Sequence, residues 1–232
     1  MKNKIFFLLL SSVLVLGSCE RDLGEYVVIP VDSGPYTQLR QDASTDIVLS
    51  QGAGFSIEFD GYEEIFYDLD FRVTGGKLIV SQRGHHWSSG RSRIYITVPD
   101  LTKIEITGSG DIYGDNRFRI NGDIELHSRA SGDFDLNLDV DEVYTWIEGS
   151  GNVRLRGYAD RHEVESDGSG DLFAFSLKTR NTRITSYGSG DAEIYVTHNL
   201  YVRLRGSGDI FFSGNPFVDY LVTGSGRLID AN

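Results

Sequence analysis

The side chains in this 232-residue chain with the greatest capacity for chemistry are five histidines, one cysteine and 34 acidic residues. His85 and His86 stand together in a segment that also holds Arg83, Trp87, Arg91 and Arg93. Neighbours in a strand point to opposite faces, so this pair could share a metal only from a loop. His127, His162 and His198 are scattered. There is no Gly-x-Ser-x-Gly elbow, no His-Glu-x-x-His and no phosphate loop ahead of a helix. A glycosidase needs two carboxylates at a set separation, but the acids here are spread along the chain without a cluster. A single cysteine excludes an intrachain disulfide and a cysteine zinc site. The formal charge of -12 excludes a generic nucleic-acid binder, which must neutralise phosphates. These residues point to a non-enzymatic protein without cofactor, metal ligands or nucleic-acid partner.

The cysteine has a different chemistry. Lys2 and Lys4 precede a mostly apolar run from Ile5 to Leu16, which ends in Gly17, Ser18 and Cys19. A positive start, a short apolar stretch and small residues at the cut point describe a secretory signal too short to span a bilayer with confidence. Leu16-Gly17-Ser18-Cys19 resembles a bacterial lipobox, in which cleavage leaves a lipidated (palmitate-bearing) N-terminal cysteine. The expected organisation is a signal peptide over 1–18, then Cys19 and a tether over 19–34. Tyr26-Val27-Val28-Ile29, within that tether, could add a strand. The expected partner of Cys19 is outer-membrane lipid, on the cell surface or the periplasmic face.

The elements that would position any site come from one repeat. Gly108-Ser109-Gly110 recurs as Gly149-Ser150-Gly151, Gly168-Ser169-Gly170, Gly188-Ser189-Gly190, Gly206-Ser207-Gly208 and Gly224-Ser225-Gly226, with Ala130-Ser131-Gly132 as a degenerate copy. The final glycines, at 110, 132, 151, 170, 190, 208 and 226, are 22, 19, 19, 20, 18 and 18 residues apart. A fixed period near 20 signals a solenoid. Two residues after each copy come Ile112, Phe134, Val153, Leu172, Ala192, Ile210 and Leu228; four before it come Ile104, Leu126, Thr145, Val164, Ile184, Val202 and Tyr220. Alternation by two on both flanks marks strands with one buried face. Stacking like positions in parallel puts small or apolar residues into columns. The expected fold is therefore all-β, a parallel β-helix of about 18–22 residues per coil. Histidine 162 falls in an inward register and histidine 127 in an outward one. The glycines are expected to supply left-handed corners. The residue after each turn is Asp111, Asp133, Asn152, Asp171, Asp191, Asp209 or Arg227. Such side chains can accept a backbone N–H and fix a turn. A calcium ladder is the functional alternative, but the nonapeptide signature of calcium β-rolls is missing.

The Gly-Ser-Gly-Asp repetition resembles the bacterial "putative auto-transporter adhesin head, GIN domain" family over residues 35–232. Asp46-Ile47-Val48-Leu49-Ser50-Gln51-Gly52 and Gly76-Lys77-Leu78-Ile79-Val80 are similar to its opening strands. The resemblance implies a secreted or lipid-anchored β-helix, pectin-lyase-like in shape, that serves adhesion; it carries no catalytic residues. Residues 36–107 are expected to be less regular N-terminal coils of a single domain, and 108–232 the repeats proper. Glycan or surface-protein binding is expected at outward aromatics, foremost Trp87, Trp146 and Tyr201, with His85 and His86 nearby. A periplasmic scaffold is the alternative, and polysaccharide cleavage a more distant one. The apolar last coil suggests a homodimer that covers an open strand edge.

Overall fold

The computed structural model describes residues 23–84 and 92–232. Cys19, and the segment with His85, His86 and Trp87, lie outside the described residues. In chain order the elements are β1 (Tyr26–Val31), β2 (Gln38–Asp42), β3 (Asp46–Gln51), β4 (Ser56–Tyr62), α1 (Glu63–Asp68), β5 (Leu69–Thr74), β6 (Lys77–Gln82), β7 (Arg93–Val98), β8 (Lys103–Ile106), β9 (Ile112–Ser128), β10 (Phe134–Ile147), β11 (Val153–Ser166), β12 (Leu172–Ser186), β13 (Ala192–Leu204), β14 (Ile210–Ser213), β15 (Phe217–Val222) and β16 (Leu228–Asp230). They form a β-solenoid of about seven turns.

Each of β9 to β13 runs 13 to 17 residues because one strand covers two sides of a coil. The pairing from β9 to β16 is parallel, so like positions stack. One inward column runs Ile47, Ile112, Phe134, Val153, Leu172, Ala192, Ile210 and Leu228. Another runs Ile104, Leu126, Thr145, Val164, Ile184, Val202 and Tyr220. Both columns stay buried until the last coil. Their burial supplies the main apolar driving force of the fold.

The corner glycines act differently from expectation. None of the Gly-Ser-Gly residues has positive φ. The left-handed corner is therefore overturned, and close approach takes its place. A Cβ at Gly151 would strike the carbonyl oxygen of Gly132; at Gly168, that of Gly149; at Gly188, that of Gly168; and at Gly206, that of Gly188. Each corner rests on the backbone of the corner below it. The Ser169 N–H donates to the Gly149 carbonyl at 3.0 Å and the Ser189 N–H to Gly168 at 3.0 Å. A methyl group cannot fit into that gap without separating the coils.

The front of the solenoid is stacked out of chain order. β6 and β7 follow β2 and β3 in sequence but lie outside them, and β8 returns to the inner side of β2. The end is finished by antiparallel strands, β1 on β4, β4 on β7 and β5 on β6. Strand β1 lies inside the stretch 19–34 read as tether, so residues 26–31 of that stretch belong to the sheet. Val27 and Val31, on alternate positions, pack against the core. Helix α1, too short to show a helical period in sequence, caps the core mouth. Its Ile65 is buried, and Phe66 packs on Phe59 and Phe71 with ring centroids 5.4 and 6.4 Å away. The Glu63 and Glu64 N–H groups, at the start of the helix, donate to the Glu25 and Leu23 carbonyls at 2.9 and 3.3 Å.

His162 is fully enclosed, with Nε2 and the Thr145 hydroxyl 3.0 Å apart. Burial lowers its pKa to about 4. Below the ordinary histidine pKa the unfolded chain binds a proton that the folded chain refuses, so stability falls as pH drops from about 6.5 to about 4. The loss at the lower limit is about 3 kcal/mol. Chemical denaturation of His162→Leu between pH 7 and pH 4 is expected to show a slope flatter than wild type by that amount. Gly168→Ala is expected to destabilise by at least about 2 kcal/mol through overpacking. Ser169→Ala, on an exposed side chain, should stay within about 0.5 kcal/mol.

Candidate functional site

The acidic residue after each turn forms a ladder between coils. The Oδ1 of Asp46, Asp111, Asp133, Asn152, Asp171, Asp191 and Asp209 each accepts the backbone N–H of the corresponding residue one coil on, at 2.6–3.1 Å. Arg227 ends the series, and its guanidinium pairs with Asp209. That bond holds the Asp209 carboxyl below its usual range, while burial raises that of Asp46. The ladder's first rung is Asp46, after Ala43-Ser44-Thr45, a corner that sequence reasoning missed because it has no glycine. Among the described residues no group of three or more His, Cys, Asp or Glu side chains could hold a metal ion. Tyr113 is tied into this ladder, donating its hydroxyl to Asp111 at 2.5 Å.

The outer face of the second side of each coil is built otherwise. Three outward columns are in register across it. One runs Glu142, Arg161, Asn181, Asn199 and Phe217; the next Glu125, Tyr144, Glu163, Arg183, Tyr201 and Asp219; the third His127, Trp146, Glu165, Thr185, Arg203 and Leu221. Opposite charges meet coil to coil. Arg161 pairs with Glu142 at 3.0 Å, Lys103 with Glu125 at 2.8 Å, Arg183 with Glu163 at 4.0 Å and Arg203 with Asp219 at 3.5 Å. The Lys103 bond is the main cause that keeps the Glu125 carboxyl low.

Trp146 and Tyr201 both sit half-buried on this face, three coils apart from each other. Trp146 stacks on His127 with ring centroids 4.3 Å apart, and Tyr144 lies 5.9 Å from Trp146 in a near-parallel arrangement. His127 is in an outward column yet buried, because Trp146 of the next coil covers it. Its outward register therefore does not make it accessible. Burial lowers its pKa, with Glu125 at 3.2 Å opposing that shift.

Tyr201 borders a shallow groove of about 490 Å³ lined by Arg161, Glu163, Asn181, Thr182, Arg183 and Asn199 as well. The Arg183 guanidinium lies 5.2 Å from the Tyr201 ring centre. The Asn199 amide donates to the Asn181 carbonyl oxygen at 2.8 Å, which orders both side chains. The groove thus presents planar amide, guanidinium and carboxylate groups beside an aromatic ring. Such groups form paired hydrogen bonds to neighbouring hydroxyls, and the ring can receive an apolar face. Trp146 and Tyr201 share the sheet face, but the groove gathers only Tyr201. Arg161, Arg183, Asn181 and Asn199 were not singled out from sequence; their outward register in consecutive coils was the available signal.

A family model described as "Putative auto-transporter adhesin, head GIN domain" matches residues 35–216. A putative adhesin from Bacteroides fragilis superposes with a TM-score of 0.82 at 22% identity, covering 88% of this chain and 96% of that one. A putative adhesin from Parabacteroides merdae gives 0.67 at 19% identity, covering 89% and 97%. A protein from Parabacteroides distasonis described as a putative lipid binding protein gives 0.65 at 18% identity, covering 89% and 98%. At these identities the likeness establishes the fold. None of the curated proteins compared matches the chain.

The ladder makes a graded prediction. Asp171→Ala leaves the Asp191 N–H without its acceptor and is expected to cost about 1–2 kcal/mol. Asp171→Asn keeps an Oδ1 there, as Asn152 does one coil earlier, and is expected to remain within about 0.5 kcal/mol in urea unfolding. Addition of millimolar calcium should leave the melting temperature unchanged, since backbone N–H groups already use one carboxylate oxygen of each rung.

Proposed function

The chain belongs to the auto-transporter adhesin head GIN-domain family, and from that premise we propose that it is an envelope protein that binds a hydroxyl-rich glycan at the Tyr201 groove. The observation that carries this reading is the groove itself. Asn181, Asn199, Arg161, Arg183 and Glu163 supply donors and acceptors in near balance, and Tyr201 supplies a ring. With Glu142, which pairs with Arg161, the two arginines are matched by two carboxylates, and a set of this kind suits neutral sugars better than a highly charged ligand. Trp146 and Tyr144 extend the aromatic surface toward the front coils.

The work is binding rather than catalysis. The family and the similar structures are named as adhesins or binding proteins. His162 is sealed in the interior and His127 is covered by Trp146, so neither is presented to a substrate. Lipidation of Cys19 would tether the solenoid to the outer membrane through the residues ahead of β1. No helix among the described residues is long and apolar enough to cross a membrane.

Glycan-array binding of the chain, followed by titration of a hit, tests the reading. Tyr201→Ala and Arg183→Ala are each expected to weaken binding at least about tenfold, whereas Lys178→Ala, outside the groove, should leave it unchanged. Binding that survives both groove substitutions, or no glycan bound at all, would contradict it. A periplasmic scaffold would then be the better account, and protease shaving of intact cells would separate the two: release from the surface supports the adhesin reading.

A further inference from the structure

Strand β9 is irregular where it passes from the first to the second side of its coil. Its pairing with β10 joins Ile120 to Val140 and Asp123 to Glu142, so Asn121 and Gly122 together stand opposite Asp141 alone. This is a β-bulge, in which the extra residue is left out of the ladder. On the other edge of β9 the pairing with β3 stops at Gly114, and pairing with β8 resumes only at Glu125. Among the described residues, Asn121 and Gly122 thus have no ladder partner in either neighbouring coil. Gly122 has a φ of 132°, a conformation that residues with side chains rarely adopt. A Cβ there would meet nothing within 4 Å, so this glycine answers to backbone conformation and not to crowding.

Asn121 is exposed and lines an open depression of about 330 Å³, with Arg119, Asp139 and Asp141 among its walls. Among the described residues no hydrogen bond holds its side chain. Other asparagines are held. Asn116 donates to the Gln51 carbonyl at 2.9 Å, Asn137 accepts from Arg117 at 3.1 Å, Asn152 is a rung of the corner ladder, and Asn181 and Asn199 bond to each other. Asn121 is also the sole asparagine in the sequence that a glycine follows. A free carboxamide, a following residue without a side chain and a backbone outside the ladder therefore coincide at one exposed position.

We propose that Asn121 is a site of spontaneous covalent modification, in which the Gly122 backbone nitrogen closes on the Asn121 carboxamide. The nitrogen gives up its proton to hydroxide and bonds to Cγ. The Cγ–Nδ2 bond breaks, and the side-chain nitrogen leaves as ammonia. Water then opens the five-membered succinimide. Opening at the backbone carbonyl gives isoaspartate, with the chain running through the former side chain; opening at Cγ gives aspartate. In sum one water is consumed and one ammonia released, with no oxidant or reductant. Either product adds a negative charge beside Asp139 and Asp141. The extra methylene of isoaspartate falls in the bulge, where no ladder contact is broken. The corner glycines and the Tyr201 groove are not involved, so the folded chain keeps its shape while the modified fraction records its age. The reaction does not depend on the glycan reading.

Peptide mapping by mass spectrometry of the full chain, kept folded at mildly alkaline pH, tests this. A synthetic peptide of residues 117–126 sets the unprotected rate. The mass gain of amide-to-acid conversion is expected at Asn121 before any other asparagine, and at a rate within about tenfold of the peptide, because the segment needs no global unfolding to react. A slower rate, or earlier conversion at another asparagine, would overturn the proposal. Fragmentation that distinguishes the two acids should find isoaspartate as the major product. In Asn121→Gln the larger ring closes far more slowly, so the acidic shift that the aged chain shows on isoelectric focusing should vanish. An undiminished shift in that variant would place the reaction elsewhere and contradict the assignment.

Discussion

The solenoid depends on the gap between successive corners being too narrow for a methyl group. Backbone rests on backbone at each Gly-Ser-Gly, and a Cβ on the upper corner would occupy the space of the carbonyl below. The same contact brings the next residue's N–H within reach of the aspartate or asparagine side chain of the preceding coil. Apolar burial provides most of the favourable free energy, but burial alone is non-directional. The corners are what fix the register. A slip of one residue would turn every inward side chain outward and would also drive side chains into the glycine gaps.

Fixed register has consequences for the surface. Outward residues are brought into straight columns, so a side chain's neighbours are those one coil away rather than those adjacent in sequence. Glu142 meets Arg161, Arg183 meets Tyr201 and His127 meets Trp146 by this route. Alternation of sign between coils lets an acidic chain stack without continuous like-charge contact on that face. The ladder of carboxylates is a different solution on the corner, where backbone N–H groups and a terminal arginine offset the charge. A rigid face with ordered polar groups and rings suits recognition, because little side-chain freedom remains to be lost on binding.

Much of this was legible in the sequence, and the reasons differ by element. The corners and the inward columns could be read because the constraint acts identically at every coil, leaving glycine and alternation at a fixed period. The reason for the glycines could not be read, since a left-handed corner and a close approach select the same residue. The front was illegible for another reason: pairing of β6 with β2 and of β7 with β3 is non-local, and no composition signal marks strands stacked out of order. Asp46 was not recognised as a rung because its corner, Ala43-Ser44-Thr45, carries no glycine to mark it. The groove was only partly legible. Tyr201 could be chosen as an outward aromatic, but Arg183, Asn181 and Arg161 around it come from 18, 20 and 40 residues back along the chain.

Native-state amide hydrogen exchange at the corner residues tests this account most directly. Asp133, Asn152, Asp171, Asp191 and Asp209 lie in turns at the surface, where exchange is ordinarily fast. If the corners lock the coils together, their N–H groups will exchange as slowly as the core amides of Val153, Leu172 and Ile210, in one cooperative unit. Fast exchange at the corners, with protection confined to the strands, would show that the turns only connect the coils and do not hold their register.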